Sequence, residues 1–224
     1  MENSEFFKKT PWDSSVFGMD TYEIQSVSVE IMEQVVRVPG HYTVKVDPLS
    51  SKKLLHAYGF YYCDTLIEPY CSRGNFVFFQ NDEAAISRTV ALDDLTAICK
   101  NVFFHGRFHR DFNLDKKMAD ARYVNWLKEL YRSGSVYALL YRSALEGFIG
   151  FSANKLVLHA IRKESQGKGL AKYLWSLVCK ELFDHGHSEL ISSVSAANLP
   201  AINLYASLGF RFRNALDVYH GLVK

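Results

Sequence analysis

Two short stretches hold the residue types that could do chemistry. Gln166-Gly167-Lys168-Gly169-Leu170-Ala171 follows the apolar run from Lys155 to Ile161 and leads straight into a helical pattern. Glycines at 167 and 169 let the backbone bend tightly and approach a ligand, and the first N–H groups of a helix lack internal partners, so this segment is a cradle for an anion such as a phosphate. No Ser or Thr follows Lys168 and one residue separates the glycines, which argues against magnesium-assisted nucleoside triphosphate binding; G-x-G-x-x-G is also absent. The second stretch begins 32 residues after Gln166 and reads Asn198-x-x-Ala201-x-x-Leu204-Tyr205-x-x-x-Gly209-Phe210. Asn198 fits a helix N-cap with Pro200 in the first turn, and Tyr205 offers a phenol that is neutral at pH 7 and can give up a proton. Alone, Tyr205 reads more readily as an amphipathic helix residue with a packed ring and a wet hydroxyl.

Other titratable groups leave alternatives open. His159 on the strand before the cradle has an intrinsic pKa suited to a general base, yet a lone strand histidine is commonly a satisfied core or edge residue, and a water chain serves equally well as base. His105 and His109 stand at i, i+4 spacing, but no third ligand or H-E-x-x-H pattern accompanies them, so no metal is expected. In the same segment Arg107, His109 and Arg110 could grip a phosphate, since arginine suits bidentate phosphate contact; a solvated basic loop is the equal alternative.

The elements that position these groups follow from periodicity and breakers. Lys155 to Ile161 and Glu189 to Val194 read as strands flanking the helix after the cradle. Upstream, Val136–Tyr141 and 147–152 make a hairpin joined by 142–146, preceded by a helix from Ala119 to Arg132 that ends at Gly134. Ile86 to Leu92 reads as an edge strand and Asp93 as the N-cap of a helix through Val102, with Phe103 to Phe112 as loop. The polar run Gln80-Asn81-Asp82-Glu83 suggests a boundary near residue 83. Before it, Trp12 to Ile31 suggests a strand or loop pair rather than a long helix; Tyr42 to Val46 reads as a strand, Lys52 to Tyr58 as a short helix closed by Gly59, and Phe60 to Ile67 and Phe76 to Phe79 as strands. Leu54, Gly59 and Phe60 repeat the spacing of Leu204, Gly209 and Phe210, a faint internal repeat whose first copy has Leu55 where Tyr205 stands and no glycine cradle before it.

The cradle, as Q-x-x-G-x-A, and the Asn198 to Phe210 motif together resemble the GNAT acetyltransferase superfamily, over about residues 86 to 224. The resemblance implies an α/β (α+β) chain: a C-terminal GNAT fold with a splayed mixed central sheet over 84–224, after a smaller, non-catalytic N-terminal α/β subdomain over 1–83 resembling a partial GNAT half. It implies acetyl-CoA as co-substrate, bound by His159, Ala160 and Ile161 on the strand, by Gln166, Gly167, Lys168, Gly169, Leu170 and Ala171 on the pyrophosphate loop, and near Asn198. Tyr205 would be the general acid and the His159 N–H the oxyanion donor, while the carboxylate some members place on that strand is missing. The layout also resembles dTDP-fucosamine acetyltransferases in Trp12-Asp13-x-x-x-Phe17-Gly18 and the Gly106-Arg107-Phe108 loop, which implies the amine of a nucleotide-linked (dTDP) aminodeoxy sugar as acceptor and Arg107, His109 and Arg110 as its contacts. A protein N-terminus, lysine or polyamine is the alternative acceptor, and a non-catalytic acyl-CoA-binding module the alternative of a different class.

Composition bounds the rest. With 48% hydrophobic and 22% charged residues among 224, the chain is ordinary globular material. Its formal charge of +2 gives no global field for nucleic acid or membrane, so an anionic ligand must be held by local groups. Cys63, Cys71, Cys99 and Cys179 show no C-x-x-C spacing and are expected as inert thiols of a reducing compartment. Residues 1–5 show no signal-like pattern and no apolar run reaches spanning length, so a cytoplasmic protein without membrane or nucleic-acid partners is expected, with a homodimer allowed for.

Overall fold

The structure, a computed structural model, describes residues 6–100 and 102–224; the N-terminus read from residues 1–5 lies outside them. In chain order the elements are β1 (Phe7–Lys9), α1 (Pro11–Phe17), β2 (Thr21–Ile24), α2 (Val29–Val35), β3 (Gly40–Val46), α3 (Lys53–Ala57), β4 (Tyr61–Ser72), β5 (Ala84–Ser87), α4 (Leu92–Cys99), α5 (Arg107–Arg110) and α6 (Lys116–Arg132). They continue as β6 (Val136–Tyr141), β7 (Ala144–Ser152), β8 (Lys155–Ile161), α7 (Ala171–Asp184), β9 (Glu189–Ser192), β10 (Val194–Ser195), α8 (Leu199–Ser207) and β11 (Arg211–Val223). The chain forms two compact units, one of Met1–Leu66, His105–Arg122 and Ala215–Lys224, the other of Ile67–Phe104 and Tyr123–Asn214. Among the described residues no helix is long and apolar enough to cross a membrane.

The second unit is a mixed sheet covered on both faces. β5, β6, β7 and β8 pair antiparallel in turn, and β8 pairs parallel with β9. Alternation along β7 sends Phe148 to one face and Ile149 to the other, because strand side chains point to opposite sides with period two. Ile149 meets α7, whose Leu174, Val178 and Leu182 recur every fourth residue beside Trp175, Cys179 and Phe183. Phe148 meets α4 and α6 through Leu95, Ile98, Leu127 and Leu130. The β6–β7 turn is only Arg142 and Ser143, both left-handed at φ 51° and 64°, so β7 begins at Ala144 and not after the broader expected loop.

The first unit is a smaller mixed sheet. β1 pairs antiparallel with β2, β2 parallel with β3, and β3 antiparallel with β11. α2 and α3 cover one face with Ile31, Met32, Val35 and Leu55, while Phe17, Phe108, Leu114 and Ala119 pack as a separate cluster.

Several expectations are corrected. Trp12 to Ile31 contains two helices and one strand, not a strand or loop pair: Pro11 starts α1, Gly18 stops it at φ 65°, and the Ser28 hydroxyl accepts the Ile31 N–H to cap α2. Each helix is 7 residues, too short for its apolar period to stand out. Phe76 to Phe79 is not a strand: the Phe79 N–H donates to Ser176 Oγ at 3.0 Å and the Val77 N–H to the Leu208 carbonyl at 3.0 Å, so α7 and α8 hold the segment instead of a ladder. β5 ends at Ser87, and Asp93 lies in the first turn of α4 behind Ala91, where its charge meets the helix dipole without capping.

The suspected repeat appears in the caps. The N–H groups of Tyr58, Gly59 and Phe60 donate to Leu54, His56 and Leu55; those of Leu208, Gly209 and Phe210 donate to Leu204, Ala206 and Tyr205. Gly59 and Gly209 have φ of 76° and 86°. Each copy follows a parallel strand pair with a helical crossover, β2-α2-β3 and β8-α7-β9.

Candidate active site

A fork in the second unit's sheet frames the site. β8 and β9 pair only at Lys155↔Ile191 and Leu156↔Ser192. The Ile191 N–H donates to the Asn154 carbonyl at 3.0 Å, and the Ser192 hydroxyl donates to the Leu156 carbonyl at 2.8 Å, closing the crotch. Further along β8 a bulge re-aims the backbone: Gly150 faces Leu158 and Phe151 faces Leu156, so Val157 is the extra residue and the alternation reverses there. The Arg162 N–H donates to the Glu146 carbonyl on β7 at 2.7 Å, so by alternation His159 and Ile161 turn their N–H and C=O groups the other way, toward the open side of the fork. Gln166 Nε2 reaches back and donates to the Ile161 carbonyl at 3.0 Å, tying the cradle to that edge.

The cradle has the backbone its sequence requires. Gly167 and Gly169 sit at φ 75° and 74°, and a Cβ on either would meet nothing within 4 Å, so conformation and not crowding demands glycine. Ser165 is buried and its hydroxyl donates to the Glu146 carboxylate in a short bond. α7 then starts at Ala171 with no side-chain cap at Leu170; the Tyr173 and Leu174 N–H groups donate to the Leu170 carbonyl, which leaves those of Ala171 and Lys172 for a ligand. Lys168 lies between the two glycines and is exposed. Sequence reading missed Glu146, which sits a strand away from the loop it anchors; only the β7–β8 register reveals it.

Tyr205 lies beneath the fork. α8 is capped by Asn198, whose side chain accepts the Ala201 N–H at 3.2 Å, and Tyr205 near its end is fully buried. The phenol donates to Ser192 Oγ at 3.0 Å, and His159 Nε2 stands 3.0 Å from the same oxygen. Phe210 packs edge-on at 4.9 Å between centroids, and Trp175 meets the His159 ring at 5.3 Å. Burial raises the Tyr205 pKa, outweighing the Ser192 bond that lowers it, so the hydroxyl stays protonated at neutral pH. Burial pushes His159 down to about 4, so its ring is neutral at pH 7 and a feeble base. Sequence reading missed Ser192, an ordinary strand serine until its hydroxyl is seen at the crotch.

The expected acceptor contacts belong to the first unit. His109 Nε2 bonds Asp120 Oδ1 at 3.1 Å, and Arg110 donates to the buried Asp64 at 3.1 Å, while Arg107 stacks its guanidinium 4.6 Å from the Phe108 ring. Trp12, Asp13 and Phe108 converge on Arg122, which donates to Asp13 at 2.7 Å and lies 4.7 and 4.4 Å from the two rings. Another cluster was not legible in sequence: His41 Nε2 and His220 Nδ1 bond the same oxygen of Asp111 at 2.8 and 2.6 Å, and its other oxygen accepts Tyr61 OH and the Asn113 N–H, each at 2.8 Å. Among the described residues this is the group whose potential metal-ligand atoms all fall within 4.8 Å, but its short contacts are those of hydrogen bonds. Burial opposes ionisation of Asp111, yet the bonds from His220 and His41 outweigh it and lower its pKa.

Comparison with known proteins agrees with this geometry. Residues 104–210 match the model of the acetyltransferase (GNAT) family. No curated protein matches the chain. Among solved structures, a GCN5-related N-acetyltransferase from Sphaerobacter thermophilus is similar at 12% identity and TM-score 0.59, covering 87% of this chain, which spans 64% of that protein's length. A conserved protein of unknown function from Staphylococcus epidermidis is similar at 11% identity and TM-score 0.64, over 100% of this chain and 94% of its own. A tandem GNAT protein from the clavulanic acid biosynthesis pathway is similar at 12% identity and TM-score 0.55, over 91% and 75%. The glycine cradle and Tyr205 lie within the matched residues 104–210, and the similar solved structures share the fold of this chain.

Proposed function

We propose that the chain transfers the acetyl group of acetyl-CoA directly to the amine of a nucleotide-linked aminodeoxy sugar, with residues 84–224 as the catalytic domain and 1–83 non-catalytic. The observation that carries the reading is the fork with its re-aimed edge, cradle and phenol held in one unit. Acetyl-CoA, when bound, supplies the acyl thioester. The cradle N–H groups of Gly167 to Ala171 hold its pyrophosphate, and the His159 to Ile161 edge offers backbone groups to the pantetheine arm. The His159 N–H faces the oxyanion that develops when the amine attacks; losing one such donor costs roughly 2.7–4 kcal/mol in enzymes where it has been removed. Tyr205 protonates the departing thiolate. With burial pushing its pKa down to about 4, the His159 ring is a weak base, so water takes the amine proton.

The acceptor class rests on the N-terminal resemblance alone. Trp12, Asp13, Phe17 and Phe108 pack around Arg122 and on one another, so these matched residues speak first for a shared unit fold. Four buried free thiols suit a reducing compartment. Acceptor screening with acetyl-CoA and detection of free thiol tests the reading: dTDP-amino sugars should turn over and peptides or polyamines should not. Turnover with peptides alone would remove the sugar, and CoA binding without turnover of any amine would leave a binding module.

A further inference from the structure

We propose that Ser192 is a positioning residue for Tyr205, supplying, together with His159, the hydrogen bonds that hold the phenolate formed when Tyr205 gives up its proton. The inference rests on the acyl-transfer reading above. In the resting site the Ser192 proton is committed to the Leu156 carbonyl at 2.8 Å, so its lone pair receives the Tyr205 hydroxyl at 3.0 Å. His159 Nε2 occupies the other side of the phenol oxygen at 3.0 Å. Ser192 and Tyr205 are fully buried, so no bulk water can solvate a charge on that oxygen.

The carbon–sulfur bond of the tetrahedral intermediate breaks with its electron pair on sulfur, sulfur takes the phenol proton, and a phenolate remains. The proton lost by the acceptor amine later restores the phenol through water. During the charged interval the Ser192 O–H swings from Leu156 to the phenolate and the His159 ring donates from Nε2, giving two charge-assisted bonds where burial would otherwise forbid ionisation. The serine can do this because it ends β9 at the crotch, where its hydroxyl partner is a carbonyl that the diverging strand no longer serves.

The test is a double-mutant cycle on the full chain with acetyl-CoA and its best acceptor. Ser192→Ala should lower kcat about 10- to 100-fold, the range expected for one bond to a charged group, with KM for acetyl-CoA unchanged. In a Tyr205→Phe background the same change should have no further effect, because its action passes through the phenol. Ser192→Thr, which keeps the hydroxyl, should restore most of the rate. Additive losses, or loss without rescue by threonine, would overturn the proposal and leave Ser192 as a strand pin. If Ser192→Ala does not fold, Ser192→Cys gives the same cycle with a weaker donor. Failure of the wider reading looks different: Tyr205→Phe alone would then leave kcat intact.

Discussion

Replacing Gly169 by alanine isolates the backbone of the cradle from its bulk. Gly169 holds φ 74° and a Cβ there meets nothing within 4 Å, so the methyl clashes with no neighbour and the cost is that of left-handed backbone, about 1–2 kcal/mol. If that shape is needed to present the helix N–H groups to a pyrophosphate, affinity for CoA should fall about 5- to 30-fold. Gly167 sits at φ 75° with equal room, so the double alanine variant should lose roughly 30- to 1000-fold if the two costs add. Gly186, at φ 97° with nothing within 4 Å of its Cβ, supplies a control after the far end of α7: Gly186→Ala carries a similar backbone cost and should lower thermal stability without changing CoA affinity. Isothermal titration with CoA and a thermal melt of each variant make the comparison. CoA affinity within twofold of the parent for the double variant would refute the cradle.

Two further outcomes follow from the packing. His220 is held neutral, its pKa pushed down to about 4 by burial despite the Asp111 bond, with His41 and Arg107 adding repulsion. The folded value lies below the ordinary 6.5, so its contribution is full above pH 6.5 and is lost as pH falls toward 4, by about 3 kcal/mol, with Asp111 removing more below its ordinary range. Urea midpoints measured from pH 7 to 4 should fall, and His220→Asn, which keeps a donor near the Nδ1 position, should flatten the curve; parallel curves would contradict this. Gly147→Ala places a Cβ 2.3 Å from the Ala160 carbonyl oxygen at ordinary φ, forcing β7 from β8, and should lower Tm by about 2–12 °C in calorimetry.

The residues that sequence made legible are those whose local chemistry is self-contained. Gly167 and Gly169 announce their own left-handed turns, Asn198 its cap, and Lys155 to Ile161 its strand, and all stand where periodicity placed them. α1 and α2 were not legible because one or two turns of helix leave no period to read, and the aromatic run at Phe76 to Phe79 mimics a strand while packing on helices. Ser192 and Glu146 acquire meaning only from register, and His41, Asp111 and His220 are brought together across separations of 70 and 109 residues. The first compact unit likewise gathers His105–Arg122 and Ala215–Lys224 with Met1–Leu66, a grouping of distant segments that no local composition announces.

Steady-state turnover of Tyr205→Phe, with acetyl-CoA affinity measured in parallel, bears most directly on the assignment of acyl-transfer chemistry to this fork. The phenol is fully buried against His159 and Ser192, so phenylalanine fits the same space and removes only the hydroxyl. A fall in kcat of about 100-fold or more with unchanged acetyl-CoA affinity is the expected result; unaltered turnover in a folded variant would contradict it.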